Sequence, residues 1–146
     1  MKELGRIKVK NGCLLINVNY LNVSEIVEDN PEWASLTNIK KKIPTIDVSL
    51  SRRKTHRDKL KNRCERFTND YLLLVEIIYI IKDWILTAKP PYIYIGAVKD
   101  EIFQKRIKFY NKFFTKMGYH KYDNNIAIVD CVDDTWSVYW LMEKDV

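Results

Sequence analysis

Cysteine, histidine, glycine and proline are scarce in this sequence of 146 residues, and the scarcity of each argues against a particular kind of site or structure. The three cysteines, Cys13, Cys64 and Cys131, are odd in number and far apart, which argues against a disulfide framework and for a reducing compartment. The two histidines, His56 and His120, have no ligand-like neighbours at fixed spacing, so no metal site is predicted. Glycine and proline occur four times each, and no low-complexity linker or domain boundary is visible.

Long apolar runs are also missing. The most apolar stretch, residues 77–81, is bounded by Glu76 on one side and by Lys82 and Asp83 on the other. No charge-free run reaches the roughly 18 residues that span a bilayer. The first twelve residues alternate charged and apolar side chains and lack the apolar core of a signal peptide. The sequence therefore predicts neither membrane insertion nor secretion.

The net charge of +6 is concentrated in one stretch. Residues 40–66 hold eleven lysines and arginines against three acidic residues, so this stretch carries +8 and the rest of the chain −2. A local positive field attracts the phosphates of a nucleic acid or of a nucleotide cofactor. Most charged runs are solvated helix faces, and both interpretations stay open.

The N-terminal part predicts a β-hairpin followed by short helices. Asn11-Gly12 lies between RIKVK, which alternates basic and apolar residues, and the mostly apolar CLLINV, and this dipeptide is a strong hairpin-turn signal. Residues 23–36 are polar, contain Pro31 and have scattered apolar positions, which is compatible with one or two short helices.

Residues 43–50 predict a strand with one buried face, because apolar and polar residues alternate there. The apolar positions are Ile46, Val48 and Leu50. The opposite positions, which include Thr45 and Asp47, are expected to point away from the core.

A long helix is predicted over residues 58–88, because apolar residues recur alternately four and three positions apart. These residues are Leu60, Cys64, Phe67, Tyr71, Leu74, Ile78, Ile81 and Ile85. A coiled coil is the alternative, but the C-terminal half is apolar nearly all round, which favours a helix packed into a core. Lys89-Pro90-Pro91 is expected to end the helix.

The C-terminal part predicts a strand, a helix and two more strands. Residues 92–98 are a short apolar run, typical of a central strand. The helix is predicted over 100–117 and ends at Gly118, which supplies a left-handed stop. Strands are expected near 125–132 and 136–143.

The element order predicts a single α/β domain over residues 1–146, with a mixed β-sheet and helices as crossover connections. With its helix carrying Phe-Tyr and followed by Gly-Tyr, this order resembles the Gcn5-related N-acetyltransferase (GNAT) fold, best over residues 43–143. Two stretches, RFTNDYLLLVEIIYIIKDWILTAKPPYIYIGA and QKRIKFYNKFFTKMGY, are similar to an acetyltransferase-like family common in bacteriophage genomes. The matching positions are Phe67, Val75, Lys89, Pro90, Ile93, Ala97, Arg106, Ile107, Tyr110, Gly118 and Tyr119.

The resemblance implies acetyl-CoA as the cofactor, with its pyrophosphate held by a glycine-rich loop before the long helix. Backbone N–H groups approach a phosphate closely only where side chains are absent. This chain has no glycine between Gly12 and Gly96, so that cradle is missing. The place of the loop is taken by cations that can bind the pyrophosphate instead, namely Arg52, Arg53, Lys54 and Arg57.

The resemblance also implies two catalytic residues. Tyr110 would protonate the coenzyme thiolate, and Asp47, on strand 43–50, would be the base that deprotonates an acceptor amine. Seven residues separate Tyr110 from Gly118, where the usual pattern of the fold has three, which displaces Tyr110 by about 6 Å along the helix axis. The alternative roles are a tyrosine packed on the sheet and a surface aspartate in a salt bridge.

Three functions are compatible with these features. A non-catalytic member of the fold that binds a protein partner fits the retained core residues and the missing cradle; the partner would be a second copy, a virion protein or a host protein. An N-acetyltransferase fits Tyr110 and the cationic loop. Nucleic-acid binding through residues 40–66 is a minor alternative, since the aromatic residues do not interleave with the basic ones. The phage resemblance implies the host cytoplasm or the virion as the location.

The two terminal strands are the predicted contact region for a partner, because both of their faces are apolar. Val138 and Trp140 alternate with Tyr139 and Leu141. The helices of the domain are expected to cover one face. The other face takes a partner, or is covered by the N-terminal hairpin or by residues 23–36.

Overall fold

The computed structural model describes residues 2–9, 12–52, 71–99, 103–130 and 136–146. In chain order, the elements are β1 (Lys2–Val9), β2 (Gly12–Asn22), α1 (Val23–Asp29), a 3₁₀ helix (Pro31–Asn38), β3 (Lys42–Arg52), α2 (Tyr71–Ala88), β4 (Tyr92–Val98), α3 (Phe103–Lys116), β5 (Tyr119–Lys121), β6 (Ala127–Asp130) and β7 (Trp136–Lys144). The predicted mixed α/β class is confirmed. The strands predicted at 43–50 and 92–98 are present as β3 and β4.

The strands join a mixed sheet in the order β1-β2-β3-β4-β7-β5, with β6 also paired to β7. β3 and β4 are parallel, with Thr45 opposite Tyr94, and the chain between them contains α2, as a crossover connection requires. β4 is antiparallel to β7, and β5 and β6 pair with different segments of the other edge of β7. β4 is thus an interior strand, as predicted.

The chain divides into two compact units. The first unit comprises Met1–Asn19 and Ile46–Lys89. In the β1–β2 hairpin of this unit, Val9 lies opposite Gly12. Gly12 is therefore a paired residue of β2, and the prediction that places it in the turn is wrong. Ile7 is paired with Leu14. A register that paired Ile7 with Ile16 would bury the same face of the hairpin, so the alternation of side chains does not select one of these two registers.

Helix α2 provides the other half of this unit. It covers the C-terminal part of the predicted helix 58–88, and residues 53–70 lie outside the described part of the chain. α2 packs on β1, where a Cβ added to Gly5 would lie 3.0 Å from the Cδ1 of Ile80. It ends at Ala88, ahead of the two prolines, as predicted. In the described residues no helix is both long and apolar enough to cross a membrane.

The second unit comprises Tyr20–Thr45 and Pro90–Val146, and its core lies under α1 and the 3₁₀ helix. The buried members of this cluster are Val23, Ile26, Trp33, Leu36, Ile43, Tyr92, Tyr94, Ala127, Tyr139 and Leu141. Tyr139 is 4% exposed and Leu141 is 1% exposed. The face of β7 that was predicted to bind a partner is therefore covered by residues 23–36 of the same chain, which is the second of the two alternatives.

The same cover explains a wrong prediction for β3. Thr45 was expected to point away from the core, but it is 1% exposed. By alternation it shares a face with Ile43, and Ile43 belongs to the cluster under α1 and the 3₁₀ helix. The first half of β3 is consequently buried on the side that the sequence pattern assigns to solvent.

Trp33 is the central side chain of the covering segment. Pro31 stands at the start of the 3₁₀ helix and Asn30 caps it by accepting a hydrogen bond from the backbone N–H of Glu32. The indole of Trp33 is fully buried, and its Nε1–H donates to both carboxylate oxygens of Asp123, at 3.0 and 2.9 Å. Because an indole N–H needs a partner when buried, Asp123 fixes the cover to the loop before β6.

Candidate functional site: helix α3 against strand β7

Helix α3 lies on the opposite face of the β4–β7 pair from the cluster around Trp33. Phe114 of this helix is buried, and its ring makes an edge contact with the ring of Tyr119, with 6.2 Å between the ring centroids. Gly118 adopts a φ of +85°, the left-handed conformation that ends the helix as predicted. The hydroxyl of Tyr119 donates to the carbonyl oxygen of Pro90 at 2.5 Å, which ties the end of α3 to the start of β4.

Tyr110, the predicted proton donor, packs on β7. Its side chain is half-buried, and its ring lies 6.3 Å from that of Trp140 and 6.1 Å from that of Phe109, centroid to centroid. Burial raises the pKa of the Tyr110 hydroxyl, and the positive charge of Arg106 lowers it in part. The hydroxyl therefore keeps its proton at neutral pH.

This environment is unfavourable for acid catalysis by Tyr110. A general acid works best when its pKa lies near the operating pH, and burial moves the pKa of Tyr110 further from neutrality. The ring contact with Trp140 supplies a structural reason for an aromatic residue at this position. The contact fits the alternative role of a tyrosine packed on the sheet, and the role of Tyr110 as a proton donor stays a prediction.

Two buried polar atoms beside this contact lack a hydrogen-bond partner in the described part of the chain. They are the Nε1 of Trp140, whose side chain is 3% exposed, and the Oδ1 of Asn111. The Nε of Arg106 is also buried, and the Arg106 side chain has an interaction partner. A buried polar atom without a partner costs stability, so packing alone does not explain the residue at Asn111 on α3 or at Trp140 on β7.

Replacing Asn111 with leucine is expected to raise the free energy of unfolding by about 1 kcal/mol, since it removes a buried acceptor that has no donor and improves helix propensity. Chemical denaturation measures this change. Lys112→Leu, at the next and exposed position of the same helix, is the control and should have almost no effect. A loss of stability in Asn111→Leu would show that the amide makes a contact of its own.

The other predicted site residues lie in the first unit or outside the described part. Asp47 is half-buried on β3 and engages a partner, and Arg52 is the last residue of the same strand. Arg53, Lys54 and Arg57 fall outside the described residues. Their assignment to acetyl-CoA stays a prediction, as does the role of Asp47 as a base. Among the described residues, no group of three His, Cys, Asp or Glu side chains could hold a metal ion.

A second polar cluster, which the sequence did not reveal, surrounds His120 on β5. Its Nδ1 lies 2.6 Å from Asp145 and its Nε2 lies 3.0 Å from Glu143. The hydrogen bond to Asp145 contributes most to raising the pKa of His120 above its ordinary value, and Glu143 adds to it. Pairing across β5 and β7 places His120 opposite Glu143, which the spacing along the sequence does not predict.

We expect His120 to titrate above pH 6.5, the ordinary value, in an NMR titration of the folded protein. A raised pKa means that this cluster stabilises the fold below pH 6.5 and that its contribution is lost as pH rises through the folded-state pKa. Asp145→Asn should lower the pKa of His120 more than Glu143→Gln does. A pKa at or below the ordinary value in the unmodified protein would contradict the expected geometry.

Comparison with known proteins gives no match: no family model, no curated protein and no solved structure is significantly similar to this chain. The resemblance to acetyltransferases consequently rests on the sequence pattern and on the order of the elements.

Proposed function

We propose that this chain is a non-catalytic member of the acetyltransferase fold that acts by binding a protein partner. The observation that carries the proposal is the position of Tyr110, whose ring packs on Trp140 and whose hydroxyl has a pKa raised by burial. The residue best placed to mark an acetyltransferase centre is thus half-buried and packed against an aromatic ring of β7.

The order of the elements supports the fold assignment. A strand, a helix, a parallel strand, a second helix and an antiparallel partner strand follow one another as β3, α2, β4, α3 and β7. This is the order that suggested the acetyltransferase fold from the sequence. Because one fold hosts many functions, the site and not the fold decides between enzyme and binding module.

The sequence around the expected phosphate loop supports the loss of catalysis. No glycine occurs between Gly12 and Gly96, so the sequence lacks the glycine-rich loop that the resemblance implies as a cradle for the pyrophosphate. Cationic side chains alone bind phosphate through a field that salt screens, and they hold it less specifically than a preorganised nest of N–H groups.

An N-acetyltransferase is the second candidate, and Arg106 is the observation in its favour. Its positive charge acts on Tyr110 and lowers the pKa of the hydroxyl in part, as a proton donor would need. On this alternative acetyl-CoA is the cofactor and an amine is the acceptor.

Calorimetric titration with acetyl-CoA tests the proposal. We expect no saturable binding, or binding weaker than about 1 mM, that disappears when Arg52, Arg53, Lys54 and Arg57 are all replaced by alanine. The four-alanine variant is also the control for non-specific attraction between the basic stretch and phosphate. Micromolar affinity that survives these replacements would favour the enzyme.

A further inference from the structure

Helix α3 presents positive charge, and no negative charge, to solvent. Its exposed positions are Gln104, Lys105, Lys108, Lys112, Thr115 and Lys116. The four lysines recur three and four positions apart, so they lie along one side of the helix, opposite the buried Phe114. These four residues, called the lysine stripe below, extend over about 16 Å of the helix axis. No aspartate or glutamate occurs in α3.

Exposure to solvent alone does not explain a stripe of one sign. A solvated helix face usually mixes both signs, because oppositely charged side chains four positions apart stabilise a helix. Lys108, Lys112 and Lys116 instead place like charges four apart, which destabilises it. In the described ranges, no lysine of the stripe forms an ion pair with a carboxylate. Lys116 is favoured by the helix dipole in the last turn, but the other three lysines have no such compensation.

The stripe belongs to a second basic stretch of the sequence. Residues 102–122 hold six lysines and arginines and no acidic residue, so this stretch alone carries as much positive charge as the whole chain carries net. It is separate from the basic stretch 40–66. Because charges of one sign on one surface reinforce each other's field, the stripe attracts a partner that carries a regular series of negative charges.

We propose that the lysine stripe binds the phosphate backbone of a nucleic acid, without reading its sequence. Lysine, glutamine and threonine side chains are all common contacts of phosphate oxygens, and Gln104 and Thr115 flank the stripe. Each strand of a DNA duplex carries one negative charge per about 3.4 Å, so a stripe of about 16 Å runs past about five phosphates. One strand thus supplies a phosphate for each lysine. The inference concerns a different surface and partner from the proposed protein binding and does not depend on it.

Two other anionic partners fit the surface less well. The buried core of a protein interface is enriched in aromatic residues and arginine and depleted in lysine. No exposed position of α3 is apolar, so the stripe offers an acidic protein no such core. A helix that lies on a membrane inserts its apolar side into the lipid. In α3 that side is occupied, because Phe114 is buried against Tyr119.

Fluorescence anisotropy with a labelled duplex of about 16 base pairs, from about 50 to about 200 mM salt, tests the inference on the full chain. We expect a Kd between about 1 and 100 µM at the lowest salt, the range of non-specific binding. The logarithm of the association constant should fall with the logarithm of salt concentration with a slope of about −3.6, as four phosphate contacts require. A duplex of the same length and another sequence should bind equally well.

Replacing Lys105, Lys108 and Lys112 together with glutamine removes three of the four contacts. Binding should weaken at least about tenfold and the slope should fall to about −1. Glutamine is nearly as good a helix former as lysine, and the change removes like-charge pairs, so the variant should fold, which circular dichroism verifies.

The matched control replaces Lys40, Lys41 and Lys42 with glutamine. These lysines are also exposed, and the change removes the same number of charges from the segment that leads into β3. The slope should stay as in the unmodified chain, and binding should weaken less than about twofold. An equal or larger loss in this control overturns the inference and favours binding through the basic stretch 40–66.

An NMR titration of the unmodified chain with the same duplex keeps the test independent of the variants. Amide signals of residues 104–116 should shift, while those of the β1–β2 hairpin should not. Absence of binding at the lowest salt, or shifts that leave α3 unaffected, overturns the inference. So does tighter binding, lost in the α3 variant, to polyglutamate or to vesicles of phosphatidylcholine and phosphatidylserine in equal parts, because the partner would then be an acidic protein or a membrane.

Discussion

Gly96→Ala is expected to lower the free energy of unfolding by about 3 kcal/mol, the upper end for overpacking in a core. A Cβ at Gly96 would lie 2.2 Å from the Cε1 of Tyr139, its cross-strand neighbour. The ring of Tyr139 cannot easily move away, because it is buried and lies 4.8 Å from the ring of Tyr94, centroid to centroid. Urea denaturation of the variant and the unmodified chain measures the effect.

Two controls separate this clash from a general preference for glycine. Gly5→Ala should cost less than about 1 kcal/mol, since its Cβ would lie 3.0 Å from the flexible Cδ1 end of Ile80. In a Tyr139→Ala background, Gly96→Ala should have little effect, because the ring that opposes the new methyl group is gone. Equal losses in both backgrounds would show that the glycine is needed for another reason.

Trp33→Ala is expected to cost about 4 kcal/mol, the range found when a large aromatic residue is removed from a core. Trp33 is fully buried, its ring lies 6.0 Å from that of Tyr94, and its N–H is bonded to Asp123. The decrease in the free energy of unfolding measures how much the packing of residues 23–36 on the sheet contributes to stability. Thermal and urea denaturation give the change, and circular dichroism shows whether the variant still folds.

Trp33→Phe separates packing from hydrogen bonding. It keeps most of the buried area and removes the N–H donor to Asp123, so we expect a loss of about 1–2 kcal/mol. Asp123→Asn keeps an acceptor for the indole and should cost less than Asp123→Ala. If Trp33→Ala cost less than about 1.5 kcal/mol, the cover would be loosely attached, and the face of Tyr139 would again be available to a partner.

The long and strongly periodic elements could be predicted from the sequence. β3, β4, α3 and the stop at Gly118 follow from local alternation, helical spacing and glycine chemistry, which act over a few residues. β5 is absent from the predicted order because its three residues are too short to show a period. The turn before Gly12 was misplaced because two registers bury the same face of the hairpin.

The surroundings of the candidate site could not be predicted, because they depend on pairing between distant parts of the chain. Tyr110 meets Trp140 only once α3 is laid on β7. Trp33 finds Asp123 ninety positions away, which no local pattern reveals. Tyr110 was identified as a candidate because its neighbours resemble an acetyltransferase pattern, and its raised pKa follows from tertiary burial alone.

Release of free thiol from acetyl-CoA, followed with a panel of amine acceptors, is the most direct measurement of the claim that the chain is not an acetyltransferase. It compares the unmodified chain with Tyr110→Phe, which keeps the ring that packs on Trp140 and removes only the hydroxyl. The non-catalytic proposal predicts release at the rate of the protein-free buffer for both proteins. Thiol release above that rate that falls at least about a hundredfold in Tyr110→Phe, as the loss of a general acid would cause, would contradict it.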